Sequence, residues 1–180
     1  MRKLIGGMAV VAVLLSLPGL ADAQRRAAPR RQAAAPQRPV SFGVQASFGT
    51  ETDFGIGGRV VFGLRSLFPT APLEAHVGFD YFFPDEPAGT DLTYWEINGN
   101  VAYRIRTTSR SLAPYVGGGL SIAHASVDIG TASASDTDVG LNLLGGTTFG
   151  AAATKVKPFA EARFTIGAGE QLVITGGVRF

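Results

Sequence analysis

The chain has 180 residues, of which 46% are hydrophobic and only 17% are charged, with 16 basic and 14 acidic residues and a formal net charge of +2. This length suits one domain with short appendages. The sequence has no cysteine, which excludes disulfides, thiolate metal sites and cysteine nucleophiles. With only two histidines, we expect neither a cofactor nor a histidine-rich metal site.

The first 23 residues have the pattern of a secretory signal peptide. Arg2 and Lys3 precede an apolar run over residues 4–17, and Ala21-Asp22-Ala23 supplies the small residues of an A-x-A cleavage site. The alternative is an uncleaved membrane anchor, which is less favoured because the run is short for a helical span. We therefore expect the mature protein to lie outside the cytoplasm.

Residues 24–39 read QRRAAPRRQAAAPQRP and contain five arginines, no acid and no aromatic residue. Such a segment cannot bury apolar surface, so we expect a disordered spacer. Alternatively, its arginines could contact anionic lipid headgroups or cell-wall polymer. Without aromatic stacking residues it gives no indication of nucleic-acid binding. The first 39 residues hold seven basic residues and one acid, so residues 40–180 carry nine basic and thirteen acidic residues, a net charge of −4.

From Val40 onward, apolar residues alternate with polar or small ones almost throughout. In the first run Val40, Phe42 and Val44 are the apolar members, which is the period of a β-strand with one apolar face. The pattern predicts eight strands of about ten to twelve residues, the length that spans a bilayer when tilted. They cover residues 40–48, 54–63, 73–83, 95–105, 114–123, 139–149, 156–166 and 171–180.

The polar faces of these strands carry all of their charged residues. These are Arg59, Glu74, Asp80, Glu96, Arg104, Lys157, Glu161, Arg163 and Arg179. Basic and acidic members nearly balance, as a buried, ion-paired lumen requires. The alternative, a soluble lipocalin-type barrel, would turn these faces outward. We therefore predict an eight-stranded antiparallel up-and-down transmembrane β-barrel whose lumen holds these nine residues as an ion-pair network.

Antiparallel pairing predicts that Asp80 lies opposite Glu96, with Arg59 diagonal on the neighbouring strand. These residues, together with Glu161 and Arg163, should form one layer. Glu74, Arg104, Lys157 and Arg179 should form a second layer toward the periplasm. Two adjacent acids could serve acid–base catalysis. However, an eight-stranded barrel is just wide enough for its own side chains, which favours a structural network with no catalytic residue and no wide pore.

Aromatic residues of the apolar faces gather near the strand ends. One set comprises Phe48, Phe54, Tyr81, Phe83 and Trp95, and the other comprises Phe62, Tyr103, Phe149 and Phe180. Aromatic girdles at both lipid–water interfaces are typical of transmembrane barrels, so we predict that these two sets form them.

The last strand, LVITGGVRF, resembles the terminal signal of bacterial outer-membrane barrels. Its apolar positions are Leu172, Ile174, Val178 and Phe180. PYVGGGL (114–120) and KPFAEARFTIG (157–167) are similar to strands of the small eight-stranded barrels of the OmpA/OmpX type, and the resemblance extends over residues 40–180. It implies a Gram-negative-type outer membrane, contact with its lipid and lipopolysaccharide, periplasmic chaperones, and insertion by the barrel assembly machinery, which reads the last strand.

The segments between strands are predicted to be loops, the longest of them at residues 126–138. His124 and Ser126 lie on the same, lipid-facing side of the fifth predicted strand. They resemble the His-x-Ser pair of lipid A deacylases, in which a carboxylate orients the histidine. Asp138, the candidate carboxylate, falls on the lumen side by parity. The sequence thus predicts a non-enzymatic outer-membrane protein that contributes to envelope integrity. The alternatives are a channel for small solutes or hydrophobic ligands, and a deacylase.

Overall fold

The fold consists of eight β-strands, seen in a computed structural model that describes residues 40–85, 89–150, 154–168 and 170–180. The signal peptide and the spacer predicted for residues 1–39 lie outside the described residues. The strands are β1 (Val40–Gly49), β2 (Asp53–Gly63), β3 (Leu73–Phe83), β4 (Thr90–Arg104), β5 (Leu112–Ile129), β6 (Ala132–Phe149), β7 (Lys157–Ile166) and β8 (Gln171–Arg179). Within the described ranges, no helix has the length and apolar character needed to cross a membrane.

Hydrogen bonding closes these strands into one barrel. Each strand pairs antiparallel with the next one in the sequence, and β1 pairs with β8. Closure leaves no strand edge around the wall, so the backbone groups of the wall bond within the sheet. The number of strands, their antiparallel pairing and their up-and-down order confirm the predicted fold.

Apolar side chains point outward along the wall and polar ones point inward. In β1, Val44 and Phe48 are 56% and 55% exposed, whereas Gln45 and Ser47 are 7% and 2% exposed. The alternation in sequence produces this because successive side chains of a strand face opposite sides of the sheet. A water-soluble barrel would have the reverse arrangement, since apolar surface in water is unfavourable. The outer wall therefore suits hydrocarbon, as in a transmembrane barrel.

The strands define two ends of the barrel. The terminal end, where β1 begins and β8 ends, comprises residues 40–42, 64–72, 105–112 and 154–156 among those described. The hairpin end comprises residues 50–53, 84–85, 89–93, 124–139, 167–168 and 170.

The prediction of a loop over residues 126–138 is wrong. β5 continues to Ile129 and β6 begins at Ala132, so two residues form the turn, and one of them is Gly130 at a φ of 61°, a conformation that suits glycine. β4 likewise begins at Thr90 and pairs with β5 from there, so three strands extend past the wall as a sheet. The strands thus have 9 to 18 residues. The alternation is lost in this extension because neither face meets hydrocarbon beyond the bilayer.

One edge of this three-stranded extension is open. β6 pairs with β7 only from Leu141 onward, so in the described part of the chain the segment Ala132–Gly140 has sheet pairing to β5 alone. Its exposed side chains as far as Asp138 are alanine, serine, threonine and aspartate. The open edge therefore presents small and acidic groups.

Three aromatic rings of the lumen each lie across from a glycine. The register pairs Phe82 with Gly55, Tyr115 with Gly146, and Phe159 with Gly177. All three rings are buried. A ring can cover a glycine of the neighbouring strand because that residue has no side chain, and such pairs also pin the register.

Gly146→Ala is expected to destabilise the barrel. A Cβ at this position would lie 2.6 Å from the Tyr115 hydroxyl oxygen and 2.7 Å from the Ala160 carbonyl oxygen, so the ring or the backbone would have to move. Overpacking of this kind costs about 1–3 kcal/mol. Urea unfolding in detergent micelles measures the loss. The matched control is Gly99→Ala, where nothing lies within 4 Å of the added Cβ; equal unfolding midpoints for the two variants would contradict the expectation.

Candidate functional site

The lumen is the candidate site because the buried charged residues meet there. Arg59 of β2 and Glu161 of β7 form a bidentate pair, in which Nη1 and Nη2 donate to the two carboxylate oxygens at 3.0 Å each. The Tyr115 hydroxyl donates to Glu161 Oε2 at 2.8 Å, and the guanidinium carbon of Arg59 lies 4.2 Å from the ring centre of Phe159. These charge-assisted bonds and the cation–π contact fix the middle of the lumen.

A second buried carboxylate, that of Glu96, lies nearer the hairpin end. Arg163 Nη2 donates to its Oε2 at 2.6 Å. The Tyr94 hydroxyl donates to Oε1 at 3.0 Å, and the side-chain amide of Gln171 donates to the same oxygen. Asn98 Nδ2 also donates to Oε2, at 3.3 Å. Removing a carboxylate from water costs several kcal/mol unless donors replace the water, and here four side chains do so.

The third carboxylate, that of Glu74, lies toward the terminal end. Arg104 Nη1 donates to its Oε1 at 3.1 Å, and Arg179 Nη2 lies 3.7 Å from its Oε2. His76 Nε2 lies 3.4 Å from the same Oε2. The structure therefore brings together three of the four residues expected in this layer. The fourth, Lys157, is half-buried and lies opposite Arg179 in the register.

Asp80 lies directly opposite Glu96 in the register, as the sequence predicted. Its hydrogen bonds come from neutral groups, namely Gln45 Nε2 at 2.6 Å and Ser47 Oγ at 3.2 Å. The sequence predicts an ion pair for Asp80, and the structure gives it hydrogen bonds from neutral groups. The reason is that Arg59 and Arg163 are each bound to another carboxylate.

The lumen also contains neutral polar residues that the sequence pattern did not single out. Asn142 Nδ2 donates to the side-chain oxygens of Asn98 and Asn100 at 2.9 Å and 3.0 Å. Its own side-chain oxygen accepts from Thr165 Oγ1 at 3.0 Å. These residues lie on the same strand faces as the charged ones, and that parity is the signal that could have identified them.

The lumen is filled by its own side chains. A cavity of about 10 Å³ lies beside Gln45, Asp80 and Asn98, which is room for about one water molecule. Among the residues that the structure describes, no group of three or more histidine, aspartate or glutamate side chains is arranged to hold a metal ion. Most of the polar groups bind one another across the barrel.

Known proteins resemble this chain in fold. Its sequence matches no family model and no curated protein. The N-terminal β-barrel domain of Pseudomonas aeruginosa OprF is similar in structure over 78% of this chain and 96% of that chain, with 16% identity and a TM-score of 0.59. Neisserial surface protein A is similar over 78% of this chain and 94% of that one, with 22% identity and a TM-score of 0.56. The chain has the fold of the eight-stranded outer-membrane β-barrels. Ail, the attachment invasion locus protein of Yersinia pestis, is similar over 78% of this chain and 96% of that one, with 15% identity and a TM-score of 0.54.

In this outer-membrane barrel fold, His124 belongs to the outer surface. Its Nδ1 lies 2.8 Å from Thr137 Oγ1, and its ring stacks on Trp95 with the ring centres 5.0 Å apart. Ser126 lies two residues along the same strand, and Asp138 lies on the opposite face of the sheet, across from a buried alanine. The structure therefore gives His124 a threonine and an indole as partners and does not assemble a triad.

The aromatic residues predicted to form girdles lie on the outside of the outer-membrane barrel. Near the hairpin end, Phe54 stacks on Phe83 with the ring centres 6.3 Å apart, and Tyr81 contacts Phe83 at 5.1 Å. Phe48 lies opposite Phe54 in the register, and Trp95 lies opposite Tyr81. These five rings lie on the outer faces of β1 to β4.

The second aromatic set lies near the terminal end. Phe62, Tyr103 and Phe149 are 39%, 45% and 39% exposed. The residues of the predicted assembly signal all belong to the outward parity of the last strand: Leu172, Ile174, Val178 and Phe180. The backbone N–H of Phe180 donates to the carbonyl of Phe42 at 2.8 Å, so Phe180 is bound to β1.

Proposed function

We propose that the chain is an integral outer-membrane protein that supports envelope integrity as a rigid spanning barrel without a wide pore. The observation that carries this proposal is the side-chain network across the lumen. Arg59–Glu161 joins β2 to β7 and Arg163–Glu96 joins β7 to β4, which are not neighbours in the wall, and eight strands leave little space besides. A non-enzymatic role fits an interior whose acids are bound by arginine, tyrosine and amide groups.

The proposal includes a route to the membrane. Residues 1–23 act as the signal peptide, and residues 24–39 remain as a basic spacer before the barrel. Periplasmic chaperones and the barrel assembly machinery then handle the chain, with β8 and Phe180 as the assembly signal. In the membrane, lipid and lipopolysaccharide surround the apolar wall.

The test of the proposed function combines gel mobility and conductance. We expect the unboiled protein from the outer-membrane fraction to resist SDS and to change its mobility on boiling, because the closed sheet has no free edge in the wall. In planar bilayers we expect no conductance steps of the size that porins give. Release of the protein into the soluble periplasmic fraction would contradict the membrane location. Porin-sized steps would contradict the closed lumen and favour a channel.

The non-enzymatic role is tested on lipid A. Mass spectrometry of lipid A from cells with and without the protein should give the same acyl composition, since His124 is bonded to Thr137. An acyl loss that Ser126→Ala abolishes would contradict this expectation and support the deacylase.

A further inference from the structure

The charged side chains outside the lumen are divided between the ends of the barrel by sign. Among the described residues, the hairpin end carries Glu51, Asp53, Asp85, Asp91, Asp128, Asp136, Asp138 and Glu170, with no lysine or arginine. The described part of the terminal end carries Arg65, Arg106, Arg110 and Lys155, all exposed, with no acidic side chain. The terminal end therefore has a positive potential that attracts anions.

Exposed apolar side chains accompany these four cations. Arg65 is followed by Leu67 and Phe68, which are 70% and 49% exposed. Ile105 precedes Arg106 and is 42% exposed, and Val156 follows Lys155 and is 46% exposed. Apolar groups that accompany cations in this way are typical of a surface at the boundary between headgroups and acyl chains.

The turn between β2 and β3 is ordered by its own backbone. The N–H groups of Leu67 and Phe68 donate to the carbonyl of Leu64 at 3.1 Å and 2.8 Å, and the N–H of Ala71 donates to the carbonyl of Phe68 at 3.2 Å. Leu67 is nevertheless the most exposed large apolar residue among those described. The fold thus holds an apolar pair outward next to Arg65.

Two of the four cations follow closely on the second aromatic set, which we call the terminal aromatic band. Arg65 and Arg106 each follow a residue of the terminal aromatic band, Phe62 and Tyr103, by three positions. At about 3.4 Å per residue, this is at most roughly 10 Å beyond the band. In a barrel whose aromatic band lies at the lipid–water interface, this distance is comparable with the headgroup region, which is about 5–8 Å thick on each side of the hydrocarbon, and the long arginine side chains can extend within it.

We propose that the terminal end is a binding surface for anionic glycerophospholipids of the leaflet that it faces. Arg65, Arg106, Arg110 and Lys155 bind the phosphates, while Leu67 and Phe68 enter the acyl boundary. An acidic polysaccharide would satisfy the cations but would leave the apolar pair in water, which favours lipid. This inference rests on the proposed membrane location.

The experiment uses the full chain folded into phosphatidylcholine vesicles that contain trace spin-labelled phosphatidylglycerol or phosphatidylcholine. Electron paramagnetic resonance gives the fraction of each label that is motionally restricted by the protein. We expect about a five-fold preference for phosphatidylglycerol, the effect of roughly one cation near an anionic headgroup, and a smaller preference at high salt. The variant Arg65→Gln/Arg106→Gln/Arg110→Gln/Lys155→Gln should restrict both labels equally.

Two further variants separate this surface from general charge effects. The variant Glu51→Gln/Asp91→Asn/Asp128→Asn/Asp136→Asn changes as many charges at the other end and should keep the preference. Leu67→Ser/Phe68→Ser keeps the cations and should weaken the preference. All variants retain the five arginines of the spacer. A preference for phosphatidylglycerol that survives the four glutamine substitutions would therefore come from another part of the chain and would overturn the proposal.

The remaining outcomes are distinguishable. Restriction of both labels to the same extent by the unaltered protein would overturn the lipid surface and leave the membrane barrel intact. If both labelled lipids were restricted equally and the protein were retained on a polygalacturonate resin, the cations would be assigned to an acidic polymer. This result would also overturn the lipid-binding proposal. Absence of any restricted signal would contradict the membrane location itself.

Discussion

Glu161→Gln is expected to lower the stability of the barrel by about 3–5 kcal/mol, the usual cost of removing one partner of a buried ion pair. The carboxylate binds both terminal nitrogens of Arg59 and the Tyr115 hydroxyl. Glutamine keeps the shape but leaves the buried guanidinium without a counter-ion. Urea unfolding of the protein in detergent micelles, followed by tryptophan fluorescence, measures the change.

A double substitution tests the physical cause. Arg59→Met/Glu161→Gln removes both charges, so it should lose clearly less stability than Glu161→Gln alone, because no uncompensated charge stays buried. Glu170→Gln removes an exposed carboxylate of the hairpin end and should be nearly neutral. If Glu161→Gln unfolded at the same urea concentration as the unaltered protein, the ion pair would not stabilise the fold.

Leu143→Arg is expected to cost about 2–4 kcal/mol, because the side chain would enter hydrocarbon near the middle of the membrane. Leu143 lies on the outer face of β6 and is 60% exposed. The measurement is the free energy of unfolding in phospholipid vesicles. Gel mobility of the same samples without boiling gives the fraction of the protein that has inserted and folded.

The matched control is Ser135→Arg, on the same strand and the same face but in the extension of the hairpin end. Eight residues separate the two positions, about 27 Å along a strand, so this arginine should lie in water and cost at most about 1 kcal/mol. Equal costs at the two positions would mean that the assignment of the lipid face, or its depth, is wrong.

The wall of the barrel was predictable because two different solvents act on its two faces. Val44 meets hydrocarbon while Gln45 meets the polar lumen, and this contrast repeats at every second residue. The register of β3 with β4 followed from simple antiparallel pairing, so Asp80 and Glu96 could be placed opposite each other from the sequence.

Two features could not be predicted from the same pattern. Residues 132–138 form a strand without an apolar face, because both faces there meet water and alternation has no physical cause. The partners across the lumen were also hidden, since Arg59 and Glu161 are 102 residues apart. Their meeting depends on the strand stagger and tilt of the closed barrel, which the period of the sequence does not determine.

An open strand edge can pair with another chain, and such pairing is how many sheets aggregate. The edge of β6 between Ala132 and Asp138 extends past the wall of the barrel and pairs with β5 alone among the described residues, so in a membrane neighbouring copies would meet there. If two such edges joined into one ladder, Asp136 and Asp138 of each copy would be brought near their counterparts, and like charges across a ladder are destabilising. The composition of this edge thus opposes the growth of a shared sheet between barrels and helps to keep each copy a separate unit.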